Sequence, residues 1–279
     1  MPLILTWKNS THVPIEGDIL RPDAFAGRSV ESVSRTLIRV GNAEAELGDL
    51  FTITGNSSED SALLLEGDLR PVKRIGRGMA GGSIHVRGAC GEGLGQAMHA
   101  GSITVDGSVG DSAGMAMRGG FLHVRGSAGD NLGGCEPGAR LGMRDGVILV
   151  EGPIGRDAGL AMRRGLIAAT GDCGDNPGRG MIAGSIFLFG DASTRHPGLG
   201  MKRGTIAIFG TGSPRLGPGF APSGNDRPTF LTIYLKRLRD LGCPVPESAF
   251  AEDLARYNGD RAEGGQGEIL IASAGGPRS

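Results

Sequence analysis

The chain has 279 residues, a formal net charge of −1, 52 glycines and only 4% aromatic residues. So small a charge gives no electrostatic case for nucleic-acid or membrane binding; no apolar run approaches the ~18 residues of a membrane span, and the lack of a Gly-X-Y triplet excludes collagen. Four cysteines without CxxC spacing fit a reduced, cytoplasmic protein, and MPLILTWKNS lacks the basic start and long apolar stretch of a signal peptide.

Residues 1–66 carry no repeat and are expected to form a small α/β capping and assembly segment. SVESVSRTLIRVG predicts a helix capped by Ser29, or a helix turning into a strand near Leu37–Val40; LGDLFTITG and SALLLEG predict strands leading into the next region.

From 67 to 210 the chain repeats. Glycines close successive units at 88, 107, 126, 152, 171, 190 and 210, in steps of 19, 19, 26, 19, 19 and 20 residues. Six places before each stands another glycine (Gly82, Gly101, Gly120, Gly146, Gly165, Gly184, Gly204). Nine places before stands a methionine (Met79, Met98, Met117, Met143, Met162, Met181, Met201), which takes seven of the nine methionines. An apolar pair lies four and two places before, from Ile84/Val86 to Ile206/Ile208. Such alternation between glycines predicts short strands, and nineteen residues are too few for a βαβ crossover of about thirty. They suffice for one coil of a solenoid, whose units bury their apolar faces only by stacking. The expected fold is all-β: a right-handed parallel β-helix of seven coils, ~4.8 Å apart, with Met, Ile and Val ladders inside.

The small residue before each Met suits a tight corner. Cys90 and Cys173 share an inward column with Val109, Ala128 and Ile154; four coils, roughly 19 Å, forbid a disulfide between them. The seven extra residues of the long step are placed at Gly134–Arg140, a surface loop that includes Cys135. Residues 211–228 read as a Pro/Gly linker, and 229–279 as a helical C-terminal segment. In the latter, TFLTIYLKRLRDLG predicts an amphipathic helix ending at Gly242, PESAFAEDLARYNGD a second helix, GEILIA a short final strand and GGPRS a loose tail.

No nucleophile elbow, P-loop or dinucleotide fingerprint is present. His85 and His123 share an outward column two coils apart, near 10 Å, too far to share a metal, and read as solvated surface histidines. Asp111, Asp130 and Asp175 follow glycines at one turn, where an aspartate usually bonds its own backbone. No catalytic or metal-binding residue is assigned. Two surface patterns remain. Arg118, Arg144, Arg163, Arg164, Lys202 and Arg203 follow the methionines and stack into a discontinuous cationic stripe, either a solvated turn or a surface for an acidic partner or polyanionic ligand. The outward strand residues change from polar (His85, Arg87, Thr104, Asp106) to apolar (Leu149, Phe187, Phe189, Phe209), so the late coils need a cover, from the C-terminal helices or from another chain.

The string GxGMxxGxIxVxG, repeated seven times, resembles the GXGXG β-helix of the glutamate synthase large subunit and of the C subunit of formylmethanofuran dehydrogenase. The flanks IEGDILRPDAFAG, LIRVGNAEAELGDLFTITG and RYNGDRAEGGQGEILIA resemble the start and end of that C subunit. The resemblance implies a cytoplasmic, non-catalytic scaffold subunit, not an enzyme by itself. Two settings are implied: an archaeal molybdenum or tungsten dehydrogenase, or a formyltransferase/hydrolase complex of methylotrophic bacteria. The latter moves one-carbon units from tetrahydromethanopterin through a methanofuran-type carrier to formate. An excess of Arg (25) over Lys (4), without Lys/Glu enrichment, favours the bacterial setting. The implied partners are an amidohydrolase-like subunit, a formyltransferase subunit and a further subunit. Carrier, tetrahydromethanopterin and zinc are expected through those siblings, with no cofactor on this chain. A stand-alone glutamate-synthase-type β-helix subunit is the alternative in nitrogen metabolism. A β-helix enzyme or carbohydrate binder acting alone is disfavoured by one Trp and two Tyr.

Overall fold

The computed structural model describes residues 2–8, 11–56, 61–251 and 253–272, so the expected loose tail lies outside the described residues. The N-terminal region supplies β1 (Leu3–Trp7), β2 (Ile15–Glu16), α1 (Pro22–Phe25), α2 (Val30–Ser34), β3 (Leu37–Val40), β4 (Ala43–Glu46), α3 (Leu47–Leu50), β5 (Phe51–Thr54), β6 (Ala62–Glu66) and β7 (Val72–Lys73). Ser29 caps α2 as expected, its side chain accepting the Ser32 N–H, and β3 follows. LGDL is a helical turn rather than strand, closed by a reciprocal Glu46–Asp49 capping box.

Each repeat contributes one strand: β8 (Ser83–Arg87), β9 (Ser102–Val105), β10 (Arg118–Val124), β11 (Asp145–Val150), β12 (Leu166–Ala169), β13 (Ser185–Leu188) and β14 (Arg203–Ile208). All seven pair in parallel with the strand before and after, their apolar columns in register, with one irregularity in β10 between Arg118 and Phe121. Both flanks extend this ladder. β6 and then β1 add parallel strands below β8. Above β14, β15 (Ala221–Asp226), α4 (Thr229–Asp240), β16 (Leu254–Gly259) and β17 (Gln266–Ala272) follow, and β17 pairs in parallel with β14. The described residues thus form a mostly parallel 13-stranded sheet, with β2, β3, β4 and β7 in a second sheet of four. The second C-terminal helix expected over 246–260 is instead a single 3-10 turn, Glu247–Phe250, followed by β16. Antiparallel pairing of this segment with β17 outweighs its helix propensity, as tertiary pairing commonly does. The region read as a linker contains β15, antiparallel to β16.

Away from the strands, backbone ladders continue. Leu69, Cys90, Val109, Ala128, Ile154 and Cys173 form successive parallel bridges, and the cysteines are free thiols within that column. The residue after each methionine donates its N–H to the methionine one unit earlier: Arg118 to Met98, Arg144 to Met117, Arg163 to Met143 and Lys202 to Met181, at 2.7–2.8 Å. The small residue before Met has a conformational role: φ is +53° to +56° at Ala97, Ala116 and Ala161. The inserted loop leaves after Gly134, which still accepts the Ala116 N–H, and returns by Gly142, which donates to Ala161.

The methionine and glycine columns are one device. A Cβ placed on Gly101, Gly120, Gly146, Gly165, Gly184, Gly204 or Gly267 would stand 2.6–2.9 Å from the Cε of the methionine one unit earlier, Met79 through Met201. Those seven methionines are fully buried. The six repeat glycines among them have φ between +88° and +105°, a region that costs an L side chain further strain. Met162→Asp is expected to destabilise by ~3–5 kcal/mol, since it buries an unpaired carboxylate or forces its protonation. Gly184→Ala is expected to cost about 2–4 kcal/mol from strain and overpacking, partly relieved when Met162 is also shortened to Ala. Chemical denaturation of the two single variants and the double variant checks both, and unchanged stability in Met162→Asp would rule out the inward column.

Candidate functional site

The structure divides the expected cationic stripe into two columns. Arg118, Arg144 and Arg163 lie on three successive rungs, about 5 Å apart, and are exposed. None of the three has a hydrogen-bonding or ionic side-chain partner among the described residues. Lys202 belongs to the same column, beyond Ile182, but stands 3.7 Å from Glu263. Arg164 and Arg203 occupy the adjacent column. There Arg203 Nε donates to Gln266 Oε1 at 2.8 Å, while Arg164 lines a cleft beside α4 with Tyr234 and Arg237.

The outward face of the early strands is polar and largely satisfied from within. His85 Nε2 lies 3.0 Å from Asp106 Oδ2, and Arg125 donates to the other oxygen of Asp106 at 2.8 Å. Arg87 and Thr6 both donate to Glu66, and His123 Nε2 stands 2.7 Å from Glu151 Oε1. His123 is only 14% exposed along its side chain, so it is a paired, half-covered group rather than the solvated histidine expected. The aspartates of the turn bond forward, not to their own backbone. Asp111, Asp130 and Asp175 accept the N–H of Asp130, Arg156 and Arg195 in the next unit, at 2.8, 2.8 and 2.9 Å. The Asp130 carboxyl is held below its ordinary value of 3.8, chiefly by the Arg156 N–H; burial opposes this, and the Arg156 guanidinium adds a smaller lowering. The His85 hydrogen bond does the same for Asp106.

The late strands are covered from within the chain. Leu231, Leu235 and Leu238, one face of α4, close over Leu149, Ala168, Phe187, Ala207 and Leu270. Phe187 is fully buried and meets Tyr234 edge-on at 5.7 Å. Phe189 and Phe209 stack at 5.2 Å and are half-buried at the margin of this second core. The structure therefore brings the three phenylalanines together, under and beside α4. Sequence reasoning missed the cleft at the edge of this helix, although Tyr234 and Arg237 stand at helical spacing along the flank of the leucine face.

Among the described residues no group of three His, Cys, Asp or Glu is placed to hold a metal ion. Burial pushes the thiols of Cys90 and Cys173 up to about 12 and that of Cys243 up to about 11, the reverse of an activated nucleophile.

Two outcomes follow from this geometry. Phe187→Glu is expected to cost at least about 3 kcal/mol and to release α4, read as accelerated proteolysis or hydrogen exchange over 229–240 while the repeat strands stay protected. Because Asp130 and Asp106 have depressed values in the folded chain, their contribution to stability is present above the unfolded carboxylate value, near 4, and is lost as pH falls through the folded values. Asp130→Asn is therefore expected to flatten the fall in stability below pH ~4, and an unaltered pH profile would exclude the forward-bonding role.

No protein-family model matches the chain. It is 39% identical over 89 residues to the C subunit of tungsten-containing formylmethanofuran dehydrogenase 2 from Methanothermobacter wolfeii, a match covering 31% of this chain and 33% of that protein. It is 38% identical over 91 residues to the C subunit of molybdenum-containing formylmethanofuran dehydrogenase 1 from Methanothermobacter marburgensis, covering 33% of this chain and 23% of that protein. The match thus spans a third or less of these curated relatives. Similarity to a chain of the formyltransferase/hydrolase complex (FhcABCD) from Methylorubrum extorquens, solved in complex with methylofuran, is much more extensive. It has a TM-score of 0.89 and 32% identity, covering 97% of this chain and 99% of that one. Full-length agreement at that identity, joined to the sequence matches with the two dehydrogenases, shows that the chain belongs to the C-subunit family of formylmethanofuran dehydrogenase.

Proposed function

We propose that this chain is the non-catalytic scaffold subunit of a cytoplasmic formyltransferase/hydrolase complex, carrying one-carbon units from tetrahydromethanopterin through a methanofuran-type carrier to formate. The observation that carries this reading is the near-complete, end-to-end similarity to a chain of such a complex. A scaffold agrees with the chemistry of the described residues: thiols raised by burial and histidines paired to carboxylates. Its partners are an amidohydrolase-like subunit, where zinc would sit, a formyltransferase subunit and a further subunit. The equivalent subunit of an archaeal molybdenum or tungsten dehydrogenase is the second reading, supported by the partial matches to those enzymes.

The scaffold itself is a right-handed parallel β-helix of seven coils over 67–210, capped by residues 1–66 and by the segment after 211. Three sets of parallel backbone ladders support this: the strands, the bridges through Cys90 to Cys173, and the post-methionine bonds. The methanofuran family implies a carrier with an acidic, glutamate-rich arm, and in this reading the three-rung arginine set, Arg118, Arg144 and Arg163, holds that arm. Lys202 and Arg203, already bonded to Glu263 and Gln266, contribute less.

The pure chain is expected to show no formyltransferase, hydrolase or dehydrogenase turnover, and to co-purify with the formyltransferase and amidohydrolase-like subunits when expressed with them. Turnover by the pure chain, abolished by mutating one of its own residues, would overturn the scaffold reading. In the assembled complex, Arg144→Glu with Arg163→Glu is expected to raise the Michaelis constant for the carrier several-fold at low salt. The difference should shrink at ~0.15 M salt, where screening sets in beyond ~8 Å. An unchanged constant at low salt would exclude carrier contact.

A further inference from the structure

α4 is apolar on two sides. Its inner leucines are spent on the sheet, yet Ile233 is 71% exposed, and Tyr234, at the flank of the leucine face, is 36% exposed. Tyr234 is fixed from behind, edge-on to Phe187 at 5.7 Å and to Phe230 at 6.1 Å, so it forms a firm aromatic wall. Between this wall and the leading edge of β11, β12 and β13 runs a cleft of about 430 Å³. Its floor is the bare backbone of Gly146, Gly165 and Gly184, with Val147 and Leu166 beside it. The hollows of these glycines are filled from the other side by the Met117, Met143 and Met162 methyls, so the slot is bounded by backbone and by the flanking side chains.

Charge selects the occupant. Arg164 and Arg237 line the cleft, and neither has a side-chain hydrogen bond or ion pair among the described residues. The carboxylate of Asp145, the acidic residue of the lining, is turned to its neighbour's backbone, its Oδ1 accepting the Gly146 N–H at 2.8 Å. Two unpaired guanidiniums around an apolar, glycine-floored slot fit a carboxylate set between apolar side chains, and the exposed Ile233 extends the apolar surface beyond the slot. An exposed aliphatic side chain beside an aromatic wall and two arginines has the composition of a protein–protein contact.

We propose that this cleft is a docking site that seats an acidic segment of a partner subunit, with one carboxylate between Arg164 and Arg237 and an adjoining apolar side chain against Leu166 and Tyr234. This rests on the reading of the chain as one member of a larger complex. It uses the column that faces α4, distinct from the Arg118–Arg144–Arg163 column.

The test is reconstitution of the full complex from this chain and the formyltransferase, amidohydrolase-like and further subunits of the same organism. Arg164→Glu with Arg237→Glu is expected to weaken assembly about tenfold or more, mainly through faster dissociation, with the melting temperature of the isolated chain unchanged. Arg164→Lys with Arg237→Lys should retain most of the affinity. If the double reversal disturbs folding, a photo-crosslinking residue in place of Ile233 gives an independent reading. It is expected to crosslink to a partner peptide containing Asp or Glu beside apolar residues. Crosslinks to a second copy of this chain overturn the proposal, as does undiminished assembly of the double reversal. So does loss of glutamate-oligomer binding on the double reversal with assembly intact, which would make the cleft a small-anion site. If the unmutated chain fails to assemble at all, the complex reading itself falls, and the two failures are told apart.

Discussion

The ε-methyl of each column methionine fills the volume that a missing Cβ leaves on the glycine one unit later, and the stack depends on this interlock. The glycine supplies two things at once: a backbone with φ near +100° that turns the chain into its strand, and a hollow that accepts the previous unit's methyl. The methionine supplies an unbranched side chain long enough to reach across one layer. Neither column has a reason to exist without the other. Their fixed offset, Met at nine and Gly at six before the closing glycine, therefore propagates through the repeat. β17 obeys the same rule, because Gly267 stands against Met201 as Gly204 stands against Met181. The interlock also explains why a seven-residue insertion is tolerated where it is. It leaves the chain after Gly134 and rejoins at Gly142, so that Met143 and Gly146 resume their places.

Filling the interior this way commits it to packing. Ile, Val and Met rungs occupy the inside from β1 to β17, and the thiols that enter it are pushed far above the range of a nucleophile. The outside is then divided by what each face has for company. Early strands pair their outward charges with one another, as Asp106 does with His85 and Arg125. Late strands present Leu149, Ala168, Phe187 and Ala207, which only an apolar cover can satisfy, and α4 provides it. A helix on one half of a sheet creates an edge, and beside that edge lies the cleft lined by Arg164 and Arg237.

Period, strand positions and the inward columns were legible in the sequence because a stacked repeat writes each contact several times; Ile84, Ile103 and Ile148 all report one fact. The Ser29 cap and the α4 helix were legible from local chemistry. What escaped had no repetition behind it. Residues 254–259 look helical alone and become a strand because β17 lies alongside. GEILIA was legible as a final strand, and β17 is that strand, but its place as an eighth rung was not: Gly267, Ile269 and Ile271 keep the repeat's spacing, yet stand some sixty residues beyond the last unit without its methionine. Stripe residues were legible as a set and not as two columns, since Arg163 and Arg164 are adjacent in sequence and only the backbone decides which faces α4. The forward hydrogen bonds of the aspartates were likewise invisible, because an Asx turn and an inter-unit bond need the same residue after the same glycine.

In the scaffold role proposed for it, the chain gains function from the position of its side chains. Each rung advances about 5 Å, so side chains fixed to a column form a ruler whose marks are set by backbone hydrogen bonds and not by flexible loops. Arg118, Arg144 and Arg163 on consecutive marks place three positive charges in a line about 10 Å long, a spacing that repeated carboxylates on an extended chain can follow. The neighbouring column, one residue away, turns Arg164 toward α4 instead. One short turn thereby offers a linear cationic track on one side and a shaped, partly apolar cleft on the other. A mobile anion and a docked protein segment have opposite requirements: the first needs weak, screened, repeated contacts, and the second needs desolvated charge beside fixed apolar surface. The exposed rungs suit the first, and the cleft walled by Tyr234 offers the second two arginines beside fixed apolar surface.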